Sequence, residues 1–116
     1  MTYWPSKYFK REEFACRCGC GLDTIDFATV AACEAIRKHF DRPVTVISGI
    51  RCPEHNRRVG GSKKSQHLRG RAADIQVSDT PPHLVAELAR DMGLSVGEYT
   101  AFTHIDTREG QATWNG

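Results

Sequence analysis

His67 and Asp74 lie seven residues apart in Ser65-Gln66-His67-Leu68-Arg69-Gly70-Arg71-Ala72-Ala73-Asp74, and a second histidine follows in Phe102-Thr103-His104-Ile105-Asp106. Two imidazoles and one carboxylate form a ligand set that leaves one zinc position open for water or substrate. The spacing therefore points to metal-assisted hydrolysis, with His67, Asp74 and His104 as candidate metal ligands. His39, His55 and His83 share no such setting and read as residues without a role in the chemistry.

Positioning these side chains requires a sheet. Ala72 to Val77 reads as a strand with Ala73, Ile75 and Val77 on one face and Ala72, Asp74 and Gln76 on the other. Phe102 to Thr107 reads as another, with Phe102, His104 and Asp106 on the face opposite Ile105. Pairing the two strands brings Asp74 and His104 onto one polar face. His67 then folds back from the loop that feeds the first strand, helped by a tight turn at Gly70.

The remaining elements follow from periodicity and breakers. Phe9 to Phe14 is a short helical turn whose phenylalanines anchor an N-terminal arm. Asp23 or Thr24 caps a helix running to about Phe40, with Val30, Cys33, Ile36 and Phe40 on its buried face. Val44 to Ser48 is a β-branched strand, and Pro53 to Val59 a short helix with proline at its first position. Pro81-Pro82 opens a helix through Met92, with Leu84, Val85, Leu88 and Ala89 toward the core. Ser95 to Tyr99 is a further strand, and the polar tail from Glu109 is loosely held apart from Trp114. The expected fold is α+β: a small, mainly antiparallel sheet with helices on one face and the metal site on the other.

The chain has 116 residues, 40% hydrophobic and 26% charged, which suits a single domain over residues 1–116. A net charge of +2 without a long basic run argues against a nucleic-acid partner. No apolar stretch approaches the roughly 20 residues a spanning helix needs, so no membrane insertion is expected. Met1 to Tyr8 lacks an apolar signal region, which predicts cytoplasmic synthesis; action on a wall would then require release by other means.

Five cysteines cannot all pair within one chain. Cys16, Cys18 and Cys20 cluster at a tighter spacing than zinc knuckles use. The open alternatives are a structural metal completed by Cys33 or Cys52, a turn with reduced thiols, or one local disulfide.

Ser48-Gly49-Ile50-Arg51, Asn56, the Ser-x-His-x-x-Gly-x-Ala-x-Asp run from Ser65 and the His-x-Asp run at His104 together closely resemble the M15 family of zinc peptidases. The likeness extends from about Phe9 to Arg108 and includes Phe-Ala-Cys-Arg-Cys-Gly-Cys-Gly at Phe14 to Gly21. The nearest branch resembles the M15A group, which contains D-Ala-D-Ala carboxypeptidases and phage-type endolysins. The implied fold is the one shared with the hedgehog signalling domain. The resemblance implies Zn2+ on His67, Asp74 and His104, and a monomer acting on peptidoglycan peptides in cell wall degradation. It implies that Arg51 stabilises an oxyanion or holds a substrate carboxylate, and it allows Ser65 a hydrogen bond to substrate.

One position departs from the family pattern. Related enzymes carry an acid three residues before the last ligand histidine, where this chain has Ala101. Asp106, on the strand face of His104, and Glu98, spaced like an acid of the hedgehog domain, are the candidates for the base. Asp106 has the alternative role of orienting a ligand histidine. A non-catalytic zinc module for wall binding or signalling, or a phage structural module of the same fold, is the competing functional reading.

Overall fold

The computed structural model describes residues 3–116. Met1 and Thr2, at the start of the arm expected to carry no targeting segment, lie outside the described residues. Three helices, α1 (Phe27–Phe40), α2 (Pro53–Arg58) and α3 (Pro82–Asp91), accompany five strands. The strands are β1 (Val44–Ser48), β2 (Ala72–Val77), β3 (Ser95–Glu98), β4 (Thr103–Asp106) and β5 (Thr113–Asn115). They form one sheet in the order β1-β2-β4-β3-β5. The expected α+β class holds. Pairings are antiparallel between β1 and β2, β2 and β4, and β3 and β4, while β3 and β5 run parallel.

Helices α1 and α3 pack on one face of this sheet. Val30, Cys33 and Ile36 of α1 meet Ala73, Ile75 and Val77 of β2, together with Val96 and Ile105, in one apolar cluster. Burial pushes the Cys33 thiol up to about 12, so this residue is a core filler. From α3 the buried residues are Val85, Ala86 and Ala89, whereas Leu84 is exposed. Val85, Leu88 and Ala89 face the core as expected, Leu88 half-buried against it, and Ala86 takes the place expected for Leu84. Small alanines let the helix lie close to the sheet, and Leu84 falls outside the contact.

Helix α1 starts later than expected. Its N-cap is Asp26, because the Asp26 N–H donates to the carbonyl of Gly70 and ties the preceding residues into extended backbone. The tail also differs from expectation. β5 is held by Val96 N–H to Ala112 O at 2.9 Å and Gly116 N–H to Glu98 O at 2.7 Å.

The N-terminal arm docks beside the edge strand β1. Phe9 and Phe14 are buried as expected, with Phe14 fully enclosed. Arg17 donates to the carbonyls of Glu13, Ala15, Val46 and Ile47, occupying acceptors that an edge strand would otherwise expose. Phe14→Ala should cost about 3–5 kcal/mol of stability, the usual range for deleting an enclosed aromatic ring. Denaturant unfolding measures it, and a loss below about 1 kcal/mol would show that the arm is peripheral to the core.

Candidate metal centre

The face of the sheet away from α1 and α3 carries the polar cluster. Asp74 and His104 are direct partners across the β2–β4 ladder, so strand pairing alone brings their side chains together. His67 arrives from a 3-10 turn over Gln66–Arg69. The Ser65 hydroxyl caps this turn by accepting the His67 N–H at 3.2 Å. Gly70 closes it with φ 69°, a left-handed conformation that glycine tolerates. All three side chains are buried. One ligand atom from each lies within 4.8 Å of the others, a group that could hold a metal ion.

Hydrogen bonding behind the rings fixes which atoms face inward. His67 donates Nδ1–H to the carbonyl of Gly49 at 2.7 Å, which leaves the Nε2 lone pair directed at Asp74 Oδ1, 3.2 Å away. His104 presents Nε2 to the Asp106 carboxylate at 2.7 Å, which leaves Nδ1 directed at the same Asp74 oxygen, 3.0 Å away. Three acceptors thus converge with no donor among them, an arrangement that favours a cation at the centre. Protonation of the rings is the alternative state, in which each imidazole donates to Asp74 instead. Burial opposes ionisation of Asp74, yet hydrogen bonds from His104 and His67 outweigh it and hold the carboxyl well below the usual carboxylate range. Burial likewise opposes the imidazolium of His104, but hydrogen bonds to Asp106 and Asp74 raise its pKa.

Asp106 is completely buried. Arg108 grips it with Nε to Oδ1 at 2.8 Å and Nη2 to Oδ2 at 2.6 Å. Burial disfavours its charge, but hydrogen bonds from Arg108 and His104 prevail and keep it ionised well below the usual range. This geometry orients His104. It does not present a free carboxylate to the cleft.

Glu98 is not brought to the site. It pairs with Thr103 rather than with His104, so the pleat turns it toward the helices, where Arg90 of α3 binds it at 3.1 Å. Strand phase and this ion pair place the expected alternative base away from the histidine cluster.

Arg51 reaches the cluster from the loop after β1. Its guanidinium donates to Ser48 Oγ at 3.2 Å, Asn56 Oδ1 at 3.2 Å and Asp74 Oδ2 at 3.3 Å. All its nitrogens are engaged, which aims the fork as a fixed positive edge beside the histidines. The cluster lies in a cleft of about 510 Å³ that Arg51 and Ser65 also line.

The sequence assigns no site role to Tyr99, Phe102, Arg108 or Trp114, which also line the cleft. Trp114 packs on Gly97, where an added Cβ would fall 2.5 Å from the indole ring. The indole centroid lies 5.1 Å from that of His104, and Trp114 Nε1–H donates to Tyr99 Oη at 3.0 Å. Tyr99 in turn stacks on Phe102 with centroids 4.5 Å apart. The available signal was the aromatic pair Tyr99 and Phe102 just before His104 and the lone tryptophan of the tail.

Comparison with known proteins agrees with this arrangement. The zinc D-Ala-D-Ala carboxypeptidase of Streptomyces albus G is 36% identical over 55 residues, a match covering 47% of this chain and 22% of that relative. The sequence profile described as peptidase M15 matches residues 7–106. That span contains His67, Asp74 and His104, and it shows that the chain belongs to the M15 family of zinc peptidases.

Proposed function

We propose that this chain cleaves peptide bonds in peptidoglycan stem peptides, with His67, Asp74 and His104 as its zinc ligands. The carrying observation is the convergence of His67 Nε2, His104 Nδ1 and Asp74 Oδ1, each backed by a hydrogen bond that fixes it. The likeness to the zinc D-Ala-D-Ala carboxypeptidase of Streptomyces albus G supports the substrate class.

A bound zinc would supply a water of pKa about 7 and polarise the scissile carbonyl. The chain's own residues do the rest. Arg51, held by Ser48 and Asn56, faces charge developing on the carbonyl oxygen. Asp106 keeps the Nε2 proton on His104 and so keeps Nδ1 available. Trp114, Tyr99 and Phe102 form an apolar wall for the substrate backbone, and Tyr99 Oη retains its own proton for donation because it accepts from Trp114. Ser65 shapes the turn that carries His67 and faces the same cleft.

Incubation of the zinc-loaded protein with purified muropeptides, followed by mass spectrometry, tests the reading. Wild type should shorten pentapeptide stems or cut cross-links, the product telling carboxypeptidase from endopeptidase. His67→Ala should fall to background. Arg51→Ala should lose about 10²–10³ in kcat, the usual effect of removing one oxyanion donor. A zinc-loaded wild type that leaves every muropeptide intact, or an equally active His67→Ala protein, would overturn the proposal.

A further inference from the structure

Away from the histidine cluster, four thiols meet. The Sγ atoms of Cys16, Cys18, Cys20 and Cys52 all lie within 4.8 Å of one another. Cys16 and Cys18 are 3.5 Å apart, and Cys18 and Cys52 are 3.7 Å apart. A zinc–sulfur bond of about 2.3 Å sets the corners of a tetrahedron about 3.8 Å apart. A disulfide would require about 2.04 Å. The observed separations fit thiolates around one ion and do not fit bonded sulfurs.

The backbone is arranged to deliver them. The loop over 16–22 closes through Cys16 N–H to Leu22 O at 2.8 Å. Gly19 and Gly21 adopt φ of 80° and 91°, which lets alternate residues turn their side chains to one side despite the tight Cys-x-Cys spacing. The fourth thiol comes from the start of α2. Cys52 N–H points at Cys16 Sγ and His55 N–H at Cys52 Sγ, each at 3.4 Å. Such donors stabilise sulfur carrying negative charge. Cys33, the other candidate fourth ligand, is enclosed in the α1 core and takes no part.

We infer that Cys16, Cys18, Cys20 and Cys52 hold a second, structural zinc ion. Four thiolates within reach of one ion suit zinc, which favours tetrahedral thiolate coordination, and a site closed by four protein ligands has no open position for catalysis. The ion ties the N-terminal loop to the residue directly after Arg51, whose own N–H donates to His67 O at 3.0 Å. It would thereby brace the loop that carries Arg51 against the arm.

The test counts metal in protein expressed with zinc and dialysed, with folding followed by circular dichroism. Wild type should hold two zinc ions per chain. His67→Ala should hold one, at the cysteines, and the double variant Cys18→Ser/Cys20→Ser should hold one, at the histidines. Cobalt substitution of His67→Ala should give the intense thiolate-to-cobalt charge-transfer absorption, absent from the double variant. The His67→Ala protein isolates the cysteine site, so failure of the proposed peptidase site leaves this reading intact. Should either variant fail to fold, the charge-transfer band of cobalt-loaded wild type decides. Folded His67→Ala without zinc, or cobalt-loaded protein without the thiolate band, would overturn the inference.

Discussion

Asp106→Asn should weaken zinc binding about 10- to 100-fold, the usual effect of losing an outer partner of a ligand histidine. Asp106 never faces the cleft. Its carboxylate lies between His104 Nε2 at 2.7 Å and the Arg108 fork at 2.6 and 2.8 Å. An asparagine keeps the size but cannot satisfy both neighbours. If its oxygen serves Arg108, its amide N–H meets the His104 nitrogen, which must then give up its proton. The proton moves to Nδ1, the atom needed for the metal. Asp106→Ala is harsher. It leaves the Arg108 charge without its partner and a buried ring nitrogen without an acceptor. Arg108 is one-third exposed, so water takes over part of its charge; the loss is about 1–3 kcal/mol, or about 4–12 °C in Tm at about 4 °C per kcal/mol for a domain of this size. Competition with a chromophoric chelator measures the first effect and thermal unfolding the second. Wild-type zinc affinity in Asp106→Asn would show that Asp106 does not set the His104 tautomer.

The fate of the two acids shows what strand alternation can and cannot reveal. Asp74, His104 and Asp106 were legible because each sits inside a strand whose apolar partners fix its phase: Ile75 and Ile105 point inward, so their neighbours point outward. Glu98 rests on a spacing from His104 like that of an acid in the hedgehog domain, and a spacing that spans the turn at 99–102 does not conserve phase. The ladder pairs Glu98 with Thr103, one residue out of step. β5 was invisible for a related reason. Its three residues pair parallel with β3, a non-local contact that no local pattern of a polar tail announces. The late start of α1 is another tertiary effect, since the bond from Asp26 to Gly70 O outweighs the capping preference of Asp23 or Thr24. The cysteine cluster lies between these cases. Its three near members were evident, but choosing Cys52 over Cys33 required the fold.

Gly49→Ala should destabilise the protein by about 3 kcal/mol, at the upper end for overpacking, because the obstruction is backbone. A Cβ at Gly49 would lie 2.3 Å from Phe14 O, 2.7 Å from Phe14 Cα and 2.8 Å from Phe14 C. No side-chain rotation relieves that contact, so the arm or the loop after β1 must move. Both movements break something. Phe14 O accepts the Ile50 N–H at 2.9 Å, which docks the arm. Gly49 O accepts Nδ1–H of His67 at 2.7 Å, which fixes the ring for the proposed metal. One methyl group therefore links stability to zinc binding. In Gly49→Ala the denaturation midpoint should fall and zinc affinity should fall with it, while the more distant Phe14→Ala should lose stability with a smaller effect on zinc. The contrast separates two roles of the glycine: room for the arm, and a carbonyl held where His67 needs it. Wild-type stability in Gly49→Ala would show that the arm can withdraw freely, and that its close approach to the loop does not hold the histidine in place.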